Sequence, residues 1–101
     1  MKLTGKCKED FEKWYSIEFE KRNLPYSQGF DISDNSIKYG VYVDFFDSVG
    51  VNIWDYSTDK NKWYFSILSN FRFLNNNKNH FDTRNEARTE AIKKANEIYN
   101  N

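Results

Sequence analysis

The run from Ser36 to Gly50, SIKYGVYVDFFDSVG, constrains the fold most, because it concentrates branched and aromatic side chains and admits two periodicities. With a period of two, Ile37, Tyr39, Val41, Val43 and Phe45 share one face, as in a half-buried strand. With a helical period, Ile37, Val41, Tyr42, Phe45, Phe46 and Val49 make one stripe, opposite Lys38, Asp44, Asp47 and Ser48. The alternation fails at Phe45-Phe46-Asp47, whereas the stripe runs on to Val49 and meets Gly50, a residue suited to a left-handed C-terminal cap. The segment therefore reads as a helix, with Ser33 as N-cap and Asp34 in its first turn, at the cost of Gly40 and three valines inside it.

On the N-terminal side, Thr4 is an N-cap for a first helix from Gly5 to about Arg22, whose stripe is Cys7, Phe11, Trp14, Tyr15 and Phe19. Asn23-Leu24-Pro25 ends it, and residues 23–33 form a linker. On the C-terminal side, VNIWDYS from Val51 is a strand, Thr58 to Asn61 a turn, and Lys62 to Ser69 its hairpin partner. The partner carries Trp63, Phe65 and Ile67 on one face and Tyr64, Ser66 and Leu68 on the other. A sheet so apolar on both sides needs helices over one face, and the second face is either covered too or left as an aromatic patch. A third strand falls near Phe71, Phe73 and Leu74 or near His80-Phe81-Asp82, separated by an Asn-rich loop tip from Asn75 to Asn79.

Thr83-Arg84-Asn85-Glu86 matches a capping box, and the helix behind it, to about Tyr99, sets Ala87, Ala91, Ala95 and Ile98 in line. Small side chains let that helix lie close to the sheet. The expected fold is α+β, with three helices packed on a small antiparallel three-stranded sheet in the order ααβββα, as one domain over residues 1–101.

A chain of 101 residues has room for one core, and with 19% aromatic residues some rings must remain at the surface. Fifteen basic and fifteen acidic side chains cancel, which argues against a domain that binds nucleic acid by bulk charge. The distribution is uneven: residues 24–60 hold two basic and six acidic side chains, residues 61–101 seven and four. Cys7 is alone, so no internal disulfide forms, and the charged start MKLTGKCKEDFEKW has no apolar leader or spanning segment. A cytoplasmic protein with no membrane association is expected.

Chemistry is sparse. One His and one Cys do not make a zinc site, His80 lacks the partners that would activate a Cys nucleophile, and no phosphate loop, dinucleotide fingerprint or serine elbow is present. No cofactor, metal or catalytic residue is assigned. Asp44 and Asp47 lie three apart, a spacing that general acid–base or magnesium chemistry can use, although such pairs are ordinarily solvated. Both also sit in the last two turns of their helix, where the macrodipole disfavours carboxylates, and broken local rules point toward function. Tyr42, Asp44, Asp47, Trp54 and Asp55 are thus the candidate partner-binding face, acidic and aromatic, suited to a basic groove. The alternative is a nucleic-acid surface built from Arg72, Lys78, Arg84 and Arg88 in the basic last third.

Three blocks carry a resemblance: KCKEDFEKWY ending at Tyr15, GVYVDFFDSVG at 40–50, and TRNEARTEAIKKANEIYNN at 83–101. Together, over nearly the whole chain, they resemble small proteins encoded by phages and mobile elements of AT-rich bacteria. The resemblance implies a genomic setting and no reaction, and carries over no site residues. Proteins of this size and setting include anti-CRISPR inhibitors, which bind a nuclease or its guide RNA. The expectation is a non-enzymatic accessory binding protein in the cytoplasm of a host bacterium, its partner a host protein or ribonucleoprotein such as a CRISPR nuclease.

Overall fold

The computed structural model describes residues 1–22, 35–70, 72–75 and 80–101. Helix α1 spans Gly5–Arg22 and α2 Asn35–Ser48; strands β1 (Val51–Asp59), β2 (Lys62–Ser69) and β3 (Arg72–Asn75) follow, and α3 (Arg84–Asn100) closes the order. The strands form one antiparallel sheet in the order β1-β2-β3. This is the expected α+β arrangement. The linker at 23–33, the Ser33 and Asp34 cap and most of the Asn-rich loop lie outside the described residues.

The central run is helical, and Gly50 ends it with φ of +84°, the conformation that a side chain would oppose. Its buried face differs from the expected stripe. Tyr39, Tyr42, Phe45 and Phe46 are buried, while Ile37 is 55% exposed and Val49 is exposed as well. The helix is turned toward Tyr39 because that ring carries a hydroxyl that reaches Asp55 on β1, giving a polar tip a partner inside the fold.

β1 alternates: Val51 and Ile53 are buried and Asn52 and Trp54 exposed, so the same side of β2 buries Phe65 and Ile67. These four residues join Cys7, Phe11 and Tyr15 of α1, the aromatic face of α2, and Ala91, Ile92 and Ala95 of α3 in one cluster. Helices α2 and α3 lie directly on that side of the sheet, and α1 packs across both. The three alanines Ala87, Ala91 and Ala95 are fully buried, as a close helix–sheet approach requires.

β1 runs two residues further than expected, to Asp59, because a register shift between Ser57 and Asp59 lets the turn tighten to Lys60-Asn61. Asn61 takes φ of 68°, and the Ser57 hydroxyl lies 2.7 and 2.8 Å from the Asp59 and Lys62 carbonyl oxygens. Phe81 adds a single bridge to Trp63 beyond the end of β3. At the start of α3 the Thr83 hydroxyl accepts the Glu86 N–H at 3.1 Å, the first half of the expected capping box.

The start of α1 is capped from a distance. Thr4 directs its side chain to α3: Asn96 Oδ1 accepts the Thr4 N–H at 2.9 Å, and Asn96 Nδ2 donates to the Thr4 hydroxyl at 2.9 Å. One turn on, Asn100 Oδ1 accepts the Cys7 N–H at 2.8 Å and its Nδ2 donates to the Thr4 carbonyl. Gly5, with φ of +61°, passes against that Asn100 side chain. The expected local cap by Thr4 is thus replaced by two asparagines four apart on α3.

Candidate interaction surface

The five residues of the expected acidic face divide among four places. Tyr42 is buried, 5% exposed, with its ring 5.1 Å from that of Phe11. Asp44 and Asp47 are exposed on α2. Trp54 and Asp55, adjacent on β1, necessarily point to opposite sides of the sheet. Adjacency in sequence had suggested one surface; burial of α2 and the two-residue period of β1 separate it.

Asp55 points to the helix-covered side. Its carboxylate accepts the Tyr39 hydroxyl at 3.1 Å and lies 3.2 Å from Arg84 Nε and 3.5 Å from Arg88 Nε. The Arg84 guanidinium lies 4.3 Å over the Trp63 ring and that of Arg88 4.6 Å over Tyr39. Burial, with the Asp55 charge next, pushes the Tyr39 hydroxyl far above its ordinary range. Asp55 from the acidic set and Arg84 and Arg88 from the basic set therefore meet each other. Asp55 thereby offsets part of the positive charge at the start of α3, with the Arg88 side chain 21% exposed and that of Arg84 still 53% exposed. Arg72 remains exposed on β3, and Lys78 lies outside the described residues.

The opposite side of the sheet carries no described helix. Asn52, Trp54 and Tyr56 of β1, Tyr64, Ser66 and Leu68 of β2, and Phe73 of β3 share it, as the cross-strand pairs Asn52–Leu68, Trp54–Ser66, Tyr56–Tyr64 and Leu68–Phe73 require. Trp54 is 39% exposed and Phe73 62%. Their rings meet edge to face at 5.7 Å, so they span β2 above the level of Ser66, which is buried. Tyr56 and Tyr64 stack at 5.5 Å farther along. Of the two outcomes open to a sheet apolar on both sides, the second face here is an aromatic patch.

One of the predicted acids borders this patch. Asn52, two residues before Trp54 on the same face, donates through Nδ2 to Asp47 Oδ1 at 2.9 Å. A carboxylate is thereby held at the margin of the aromatic face by a side chain of that face. The sequence signal for this patch was the alternation of β2, whose second apolar face is covered by no helix among the described residues.

No family model, curated protein or solved structure matches this chain. Among the described residues, no three His, Cys, Asp or Glu side chains gather as a metal site, and no helix is long and apolar enough to cross a membrane.

Proposed function

We propose that this chain is a non-enzymatic binding protein of a phage or mobile element, and that it docks through the open face of its sheet on a basic, apolar groove of a host protein. The Trp54–Phe73 pair, with Asp47 fixed at its border by Asn52, carries this reading. Aromatic rings exposed together on a rigid sheet are anchor groups of the kind that dominate interface energetics. The bordering carboxylate selects for Lys or Arg on the partner and against acidic surfaces. A host nuclease complex of the CRISPR type, whose nucleic-acid channel is basic, is the partner class that the resemblance suggests.

Nucleic acid itself is disfavoured as the ligand of this face. Rings can stack bases, but backbone binding needs cations alongside, and here Arg84 and Arg88 are engaged by Asp55 on the other side of the sheet.

The test is affinity isolation from host lysate with nuclease treatment, comparing the native chain with Trp54→Ala/Phe73→Ala and with Asp47→Lys. A protein retained after nuclease by the native chain and lost by both variants supports the proposal. Retention by both variants, or recovery of nucleic acid alone, overturns it.

A further inference from the structure

Among the described residues, one arrangement occurs twice on the covered side of the sheet. The Arg84 guanidinium lies 4.3 Å over the Trp63 ring with Nε 3.2 Å from Asp55 Oδ2, and that of Arg88 lies 4.6 Å over Tyr39 with Nε 3.5 Å from Asp55 Oδ1. A flat cation serves both partners at once, its face on the ring and its edge toward the carboxylate. The open side holds a ring and a carboxylate in the same way, but no described cation lies between them. Trp54 is exposed beside Phe73, and the exposed Asp47 carboxylate is engaged among the described residues only by the Asn52 amide, at 2.9 Å. Asn52 and Trp54 follow each other on that face about 7 Å apart along the strand. Phe73 stands in the row of Asn52 through Leu68 and its ring meets that of Trp54, so both rings and the held carboxylate fall at one end of the face. The last turn of α2 holds no basic side chain, so the Asp47 charge adds to the negative end of the helix dipole.

From this incomplete copy of the internal arrangement we infer that Asp47, Trp54 and Phe73 form a subsite for one arginine side chain of the docked partner. Its guanidinium lies flat on the Trp54 ring with an N–H edge toward Asp47. The subsite belongs to the docking face proposed above and rests on that reading, and it narrows the partner's basic groove to one that presents a protruding arginine. Lysine fits less well, because its compact and strongly hydrated ammonium has no flat face to lay on the ring while it pairs with the carboxylate.

The test titrates the isotope-labelled full chain with N-acetyl-arginine amide, followed by NMR, and with the lysine and citrulline analogues, citrulline having the shape of arginine without its charge. The Trp54 indole N–H and the Asn52 side-chain amide should shift saturably with arginine, while the Trp14 and Trp63 indoles stay in place. The lysine analogue should bind about threefold or more weakly, and citrulline about fivefold or more weakly. Added salt should weaken arginine binding, and Asp47→Asn, which removes the charge with little change of shape, should weaken it about fivefold. The backbone amide spectrum of that variant confirms that the fold persists. Binding of lysine or citrulline as tight as that of arginine overturns the inference. So do shifts spread over all three indoles, indifference to Asp47→Asn, or no saturable shift. If the lysate experiment captures its protein while arginine and citrulline bind alike, the docking reading stands and the subsite falls. Arginine-selective shifts without a captured protein do the reverse.

Discussion

The side-chain oxygen of Asn100 accepts the backbone N–H of Cys7 at 2.8 Å, so the last turn of α3 caps the first turn of α1. Helix starts leave amide groups unpaired, and here a distant helix satisfies one of them. Asn100→Ala should destabilise the protein by about 1 kcal/mol, the usual worth of a cap. Asn96→Ala should cost more, about 1–3 kcal/mol, because Asn96 is buried and serves both the Thr4 amide and its hydroxyl. Urea unfolding of both, beside an Asn101→Ala control that bonds only through its backbone, measures the difference.

Asp55, with its side chain 11% exposed, faces two arginines and a tyrosine hydroxyl, so its loss leaves Arg88 and Tyr39 without their partner. Asp55→Ala should destabilise by about 3 kcal/mol, whereas Asp44→Ala on the exposed side of α2 should change stability by less than about 0.5 kcal/mol. Combining Asp55→Ala with Arg88→Met should cost less than the sum of the two, since the second change removes the stranded cation. Chemical unfolding of the single and double variants tests this.

The Asp10–Tyr99 bond predicts where stability depends on pH. Tyr99 Oη donates to Asp10 Oδ2 at 2.5 Å, and Lys6 lies 3.3 Å from the same oxygen. The hydroxyl bond first, then Lys6, holds the Asp10 carboxyl below its ordinary 3.8, while the bond to Asp10 and burial push the Tyr99 hydroxyl from 10.0 up to about 12. A depressed carboxyl stabilises above its unfolded value and loses that contribution as pH falls through the folded one. A raised phenol stabilises below 10.0 and loses its contribution as pH climbs toward about 12. Tyr99→Phe should therefore flatten both the acid and the alkaline limb of the stability profile, while leaving the middle lower throughout.

Cys7 is fully buried, and burial, with Asp10 nearby, pushes its thiol from 9.0 up to about 12. Ellman's reagent at pH 8 should react with the native protein only as fast as the fold opens, and at once in urea. Rapid reaction of the folded chain would contradict this burial.

Local patterns in the sequence reached most of the fold. Gly50 marked the end of α2, Thr83 and Glu86 the start of α3, and the alternation from Lys62 to Ser69 the bounds of β2. Each signal spans a few residues, and neighbouring groups decide it. The surfaces were far less legible, because they depend on which distant elements meet. Tyr42 and Asp44 are two apart, yet one lines a cleft against α1 and the other faces solvent. Asp55 was grouped with Trp54 by adjacency, when strand geometry sends it to the opposite side. Arg84 and Arg88 counted as free cations until tertiary packing supplied Asp55. Asn96 and Asn100, poor helix formers placed one turn apart, were the one local hint of the stitch to Thr4 and Cys7.

That stitch also orders the events of synthesis. Its hydrogen bonds join residues 92 to 96 positions apart, so α1 leaves the ribosome long before the asparagines that cap it exist. The hairpin of β1 and β2 needs only its own residues and a short turn, and can form while the chain is still growing. The apolar stripe of the first helix can meet the α2 rings earlier, but its cap must wait until α3 has been translated. A ribosome halted before Asn96 would release a chain able to pair strands but unable to close.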